Sequence, residues 1–226
     1  MPGKSAKTAI LIGATGLVGA RCLDLLLKSS DYRQVIAVSR RPVPLQHARL
    51  VRVETPFEQL GEVLGELSAD AAFCCLGTTI RQAGTKAEFH KVDYGYVLEF
   101  ADAMRRRGAG HFLLVSALGA HPRSPIFYNR VKGLLEQEVK ALGFPRLSVF
   151  RPSLLLGTRD RLRPAEALST RFSGLVSPFL RGPLSALHPI PAAEVAAAMV
   201  ACAQTEAEAG SHLYHYADMQ ALLAQA

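Results

Sequence analysis

Thr8-Ala9-Ile10-Leu11-Ile12-Gly13-Ala14-Thr15-Gly16-Leu17-Val18-Gly19 is the stretch on which the fold turns. Ala9 to Ile12 are apolar without a break, as suits a strand covered on both faces. Glycines follow at 13, 16 and 19, and a helix-period segment runs from Leu17 to Ser30. Gly13 permits a tight turn, Gly16 lets the backbone approach a ligand, and Gly19 allows the helix to pack closely on the sheet. The amides that open the helix favour a negative ligand, so Gly13, Thr15, Gly16, Leu17, Val18 and Gly19 form a candidate pyrophosphate cradle. The spacing, G-x-x-G-x-x-G, departs from the commoner G-x-G-x-x-G. Its place after the first strand gives it weight that a bare glycine triplet lacks.

Outward from that stretch, apolar runs of strand length alternate with helix-period segments. Strands are expected at Thr8–Gly13, Gln34–Ser39, Leu50–Glu54, Ala71–Leu76, His111–Ser116 and Leu147–Arg151. Helices are expected at Leu17–Ser30, Phe57–Leu67, Lys86–Arg107 and Tyr128–Leu142, and in the alanine-rich segment Pro191–Ala203. Such β–α alternation implies parallel strands joined by right-handed crossovers. The fold class is therefore α/β, a doubly wound parallel sheet of the Rossmann type, in one domain over residues 1–226. The pattern breaks after Gly157: residues 158–190 mix Arg, Pro, Ser and Gly with apolar side chains. An irregular insertion there is expected to line the substrate pocket near the strands' carboxyl ends. A short strand, Leu213–Tyr216, and a helix N-capped by Asp218 are expected to close the domain.

The second strand ends in Val38-Ser39-Arg40-Arg41-Pro42, without a carboxylate for the ribose hydroxyls of NAD. A guanidinium there suits a 2′-phosphate through bidentate, charge-assisted hydrogen bonds. Ser39, Arg40 and Arg41 thus point to NADP, with NADPH preferred over NADH; the alternative is that the arginines are solvated surface charge.

Tyr128 and Lys132, four apart, share one helix face with Val131, Leu135, Val139 and Leu142. A lysine on an apolar stripe is costly unless something pairs with it. Nicotinamide ribose hydroxyls could do so. A phenol titrates near pH ~10 in water, so a neighbouring cation is what makes it serviceable as an acid or base near neutrality. Ser116 ends a strand and could hydrogen-bond a substrate's carbonyl oxygen. Ser116, Tyr128 and Lys132 are the candidate catalytic residues.

Composition narrows the class. The chain has 226 residues, 49% of them apolar and 20% charged, enough for a sizeable core. No apolar run approaches the roughly 18 residues of a membrane span, so no membrane partner is expected. The net charge of +7 raises the question of nucleic acid. The arginines between 151 and 181 lack the interleaved aromatics of a single-strand binder, and no nucleic-acid partner is expected. The four cysteines and seven histidines show no metal-ligand spacing, so no metal is expected. The N-terminal residues lead into a strand without a secretory hydrophobic region, which gives a cytoplasmic expectation.

Gly13–Gly19, Cys74-Cys75-Leu76-Gly77-Thr78-Thr79, Val115–Ala120, Tyr128-Asn129-Arg130-Val131-Lys132-Gly133 and Phe150-Arg151-Pro152-Ser153-Leu154-Leu155-Leu156-Gly157 carry a family likeness. Over about Thr8 to Gly157, with a fainter echo in His188–Ala196, the chain resembles the short-chain dehydrogenase/reductase superfamily in its atypical branch. It is especially similar to the Tat-interacting-protein type of oxidoreductase. The resemblance implies cofactor contacts at Leu76, Gly77, Thr78 and Pro152. One departure stands out. Many relatives place an asparagine on the helix before the serine strand, in a water relay to the lysine; this chain's only asparagine is Asn129. The corresponding place holds Asp93, on the inward stripe of Phe89, Val92, Tyr96, Val97, Phe100 and Met104. It could anchor the lysine or a water, or cap a kink.

Two functional classes fit. One is an NADP(H)-dependent oxidoreductase acting on a small-molecule carbonyl or alcohol. The other is an NADP(H)-binding regulatory or sensor protein with little turnover. The intact Ser116, Tyr128 and Lys132 favour the enzyme. Inward and interface stripes share one sequence pattern, so a homo-oligomer is compatible with either.

Overall fold

Successive side chains of a strand point to opposite faces, and in this sheet both faces are apolar. The computed structural model describes residues 6–157, 188–205 and 208–225. Its strands are β1 (Lys7–Ile12), β2 (Tyr32–Ser39), β3 (Leu50–Glu54), β4 (Ala71–Cys74), β5 (His111–Val115) and β6 (Arg146–Phe150). Later come β7 (Leu155–Leu156), β8 (Ile190–Pro191) and β9 (Gly210–Tyr214). The main sheet runs β3-β2-β1-β4-β5-β6-β9 with every neighbouring pair parallel, while β7 and β8 form a small parallel pair of their own.

The helices are α1 (Leu17–Lys28), α2 (Leu60–Leu64), α3 (Ile80–Ala83), α4 (Lys86–His90), α5 (Tyr96–Arg106), α6 (Phe127–Ala141), α7 (Ala192–Gln204) and α8 (Tyr216–Ala224). Ala9, Leu11, Val35, Ala37 and Phe73 pack with Leu26 of α1, Met199 of α7 and Met219 of α8. The alternate residues Ile10, Ile12, Ile36, Val38 and Ala72 pack on the other face with Leu60, Phe100 and Leu135. Each large side chain buried this way contributes about 1.5–3 kcal/mol. Cys74 and Cys75 part to the two faces in the same manner. Burial pushes the Cys74 thiol up to about 12.

Several boundaries differ from the sequence expectation. The helix expected over Lys86–Arg107 is broken by a π-helical turn, Lys91–Gly95, between α4 and α5. The wider turn shifts the helix register by a residue, and Asp93 within it is buried, as are Phe89 before it and Val97 after it. In place of a helix over Phe57–Leu67 stand a 3-10 turn, Phe57–Gln59, and α2, which stops before Gly65. The last strand begins at Gly210, whose N–H donates to the Pro145 carbonyl at 2.8 Å, and ends before Tyr216. Asp218 is not the N-cap of α8. That place belongs to His215, and the Asp218 carboxylate, three residues on, accepts from the His215 N–H at 2.8 Å. Residues 158–187, most of the expected insertion, lie outside the described residues. On their flanks, Ile190 N–H donates to the Leu154 carbonyl at 3.0 Å.

Candidate active site

The chain builds β1, β2 and β3 outward, then returns to place β4 on the other side of β1. Ligands of open α/β sheets bind at such a reversal, outside the strands' carboxyl ends. Gly13 follows β1 there, and Leu76, Gly77 and Thr78 follow β4. Gly13 has φ 86°, and a Cβ on it would lie 2.5 Å from the Cys75 carbonyl carbon. A Cβ on Gly19 would fall 2.1 Å from the Gly13 carbonyl oxygen, and one on Gly16 would fall 3.2 Å from the same atom. That oxygen accepts the Gly16 N–H at 2.9 Å. That one carbonyl leaves no room for a side chain at Gly19 and only a tight contact at Gly16. The turn delivers the start of α1, with no acidic residue in its first turn, to the crevice. Thr15 is exposed; Gly16 and Leu17 are half-buried; Val18 has its side chain in the core.

Pairing of Ile12 with Val38 sets the end of β2 beside this turn. Ser39 is buried, and its hydroxyl donates to the Arg41 carbonyl at 2.7 Å, shaping the bend. Arg40 and Arg41 are exposed, and the Arg40 guanidinium lies 4.9 Å above the Phe57 ring.

α6 brings the polar groups in from the other side. It presses on the loop after β5: a Cβ on Gly133 would be 2.1 Å from the His121 carbonyl carbon. Tyr128 is half-buried with its ring 5.4 Å from that of Phe89. Lys132, one turn on, is only 3% exposed and lies 2.8 Å from Asp93 Oδ1, whose side chain is 1% exposed. Asp93 Oδ2 accepts the Thr78 N–H at 2.7 Å. Burial works against the lysine's charge, but Asp93, then Tyr128, outweigh it, and Lys132 is held above the ordinary lysine range. Of the roles open to Asp93 from sequence, anchoring the lysine is the one the geometry displays, within a π-helical turn.

Ser116, buried at the end of β5, donates its hydroxyl to Glu136 Oε1. Arg151 Nε reaches Glu136 Oε1 at 3.0 Å and Oε2 at 3.2 Å. The Pro152 carbonyl accepts the Leu118 N–H at 2.8 Å, tying the segments that follow β5 and β6. Leu76 is buried, whereas Gly77 is exposed. Local contacts thus link the glycine turn to Cys75, the 76–78 loop to Asp93 and Lys132, and Lys132 along α6 to Tyr128, while Ser39 ends the strand next to β1. Ser116 joins them through α6, with its proton turned to a carboxylate. Sequence reasoning missed Glu136 and Arg151. The available signal was a glutamate at the next i+4 position after Lys132, beside an apolar stripe, where a carboxylate needs a partner.

Among the described residues, no group of His, Cys, Asp and Glu is arranged to hold a metal ion. No described helix is long and apolar enough to cross a membrane.

The NAD(P)H-binding family model matches residues 13–142. Protein FMP52-1, mitochondrial, of Scheffersomyces stipitis is 37% identical over 208 residues, covering 90% of this chain and 91% of that protein. Protein HTATIP2 of Rattus norvegicus is 38% identical over 172 residues, 74% of this chain and 71% of that one. Among solved structures, the Bordetella bronchiseptica enzyme WbmH in complex with NAD+ matches with a TM-score of 0.69 at 15% identity. The match covers 93% of this chain and 75% of that one, and it shows a shared fold. The fungal relatives' names overturn the cytoplasmic expectation, since mitochondrial is the location they print. A missing secretory region speaks only to the secretory route, and mitochondrial targeting uses a different, amphipathic signal. With its glycine turn at the sheet's reversal point and its likeness over most of its length to the proteins named FMP52 and HTATIP2, the chain belongs to the NAD(P)H-binding family, in the atypical short-chain dehydrogenase/reductase branch.

Proposed function

We propose that the protein is an NADP(H)-dependent oxidoreductase acting on a small-molecule carbonyl or alcohol. The observation that carries this reading is a buried, charged Lys132 one turn from Tyr128 and beneath the 76–78 loop at the mouth of the crevice. The α1 amides after Gly13 receive the pyrophosphate, and Arg40 with Arg41 receives the 2′-phosphate. Lys132 holds the nicotinamide ribose hydroxyls and keeps positive charge next to Tyr128. When bound, NADP(H) supplies or takes up the hydride. Tyr128 gives or takes the proton at the substrate oxygen. Ser116 holds that oxygen once its hydroxyl turns away from Glu136, a rotation about one bond.

The commitment of the Ser116 proton to Glu136 also favours a second reading, an NADP(H)-binding regulatory protein with little turnover. NADPH oxidation over a panel of aldehydes, ketones and quinones separates the two. The enzyme reading expects turnover that falls at least ~100-fold in Tyr128→Phe, with NADPH affinity kept. Native protein that binds NADPH yet turns over no faster than the Phe variant is the sensor. Cofactor choice has its own test, the Kd for NADPH and NADH in native protein and Arg40→Asp. Tighter NADH binding by the native protein ends the NADP assignment.

A further inference from the structure

Asp93 touches both Lys132 and the Thr78 amide, and the backbone between these partners rests on the ion pair. A Cβ on Gly77 would lie 3.3 Å from Asp93 Oδ1 and 3.7 Å from Lys132 Nζ. Asp93 Oδ1, although 2.8 Å from the ammonium, has no partner in hydrogen-bonding alignment. Its hold on Lys132 is chiefly Coulombic, the attraction between the two charges outranking any hydrogen bond between them. We propose that Asp93 is a positioning residue that keeps Lys132 charged in the core and couples that charge to the 76–78 loop, so that cofactor affinity depends on a carboxylate lying behind the cofactor's contacts. This rests on the NADP(H) reading above.

Among the described residues, three titratable groups act most on Lys132. The π-helical turn contributes Asp93, β4 contributes Cys74, and α6 itself contributes Tyr128. Glu136, the next turn of α6, is engaged by Ser116 and Arg151. Lys91, in the same π-helical turn, is half-exposed and pairs with Glu58 at 3.2 Å. Asp93 is the leading influence that opposes desolvation of the lysine. Without its charge, burial prevails, and a buried lysine sheds its proton far below the usual range.

The test is Asp93→Asn, which keeps an acceptor for Thr78 and removes the charge. NADPH binding is titrated by fluorescence from pH 6 to pH 9, alongside NMR of the lysine Cε–Hε groups in protein without cofactor. Native affinity should change little across that window. In the variant, Kd should rise by at least ~10-fold toward high pH, with a new inflection. One lysine resonance should titrate at that inflection and be absent from Asp93→Asn/Lys132→Met. A folded variant with a flat Kd profile and no titrating lysine overturns the proposal. If native protein fails to bind NADPH, the cofactor reading falls, and the lysine titration still decides the role of Asp93. If Asp93→Asn does not fold, recovery of the fold in the double variant supports an unpaired Lys132 as the fault. Failure of the double variant to fold overturns it.

Discussion

Ser116 donates its hydroxyl proton to Glu136, two turns of α6 beyond Tyr128, and Arg151 shares the same carboxylate. The glutamate is buried and the arginine half-buried. Removing one partner strands the other charge, whereas removing both leaves a site that apolar groups can fill. Glu136→Gln should therefore lose about 3 kcal/mol of unfolding free energy in urea. Glu136→Leu/Arg151→Met should lose less, about 1–2 kcal/mol, chiefly from the buried Ser116 hydroxyl left without its acceptor. A single variant as stable as the double would refute the account.

Gly19 and Gly143 make opposite cases. Gly143 has φ 68° but open space where a methyl would stand, while Gly19 has ordinary backbone and no space, its Cβ 2.1 Å from the Gly13 oxygen. Gly143→Ala should cost about 1 kcal/mol from backbone strain alone. Gly19→Ala should cost about 2–3 kcal/mol, since backbone must shift, and should weaken NADPH binding by distorting the turn. Urea unfolding and a binding titration check both. Equal costs at the two sites would contradict the geometry.

His111 sits at the start of β5 with Nε2 2.9 Å from Ser148 Oγ. Burial first, then Arg146, Lys7 and His212, pushes its imidazole down to about 3. The unfolded chain binds a proton near pH ~6.5 that the folded one refuses. Stability from this residue is thus complete above about pH 6.5 and is lost as pH falls from there toward 3, by about 1.4 kcal/mol per unit. Between pH 7 and pH 5, native protein should lose about 2 kcal/mol more than His111→Gln does. Parallel urea curves for the two proteins at both pH values would rule this out.

Arg49 closes the end of α1. Its guanidinium donates to the Ser29 carbonyl at 2.5 Å, to the Tyr32 carbonyl at 2.6 Å and to the Leu27 carbonyl. A lysine has a point charge where this fork is required. Arg49→Lys should cost about 1–2 kcal/mol, and Arg33→Lys on the exposed side of β2 less than about 0.5 kcal/mol. Thermal unfolding of the two variants compares them directly; similar shifts would remove the cap from the account.

Strand and helix content was readable because each element's apolar period is written in its own residues: Ala9 to Ile12 for a two-faced strand, Val131, Leu135 and Val139 for α6. The glycine turn was readable for a similar reason, since Gly13, Gly16 and Gly19 answer to a single local carbonyl and the neighbouring strand end. The inward seat of Asp93 was visible as a stripe position, but not the π-helical turn that produces it, because the hydrogen-bond register of a helix leaves no mark in composition. Asp218 was placed wrongly as a cap, since a carboxylate at the cap and one three residues later carry the same sequence signal.

What the chain's own order of residues determined, then, is the doubly wound sheet and the crevice at its reversal point, both consequences of short-range periodicity and glycine sterics. The tertiary structure alone decided that Lys132 answers to Asp93, Ser116 to Glu136 and the end of α1 to Arg49. These are contacts between groups 17 to 39 positions apart along the chain. A buried charge accepts any counter-charge the fold brings near it, and proximity in space, unlike hydrophobic period, is not encoded at any fixed spacing.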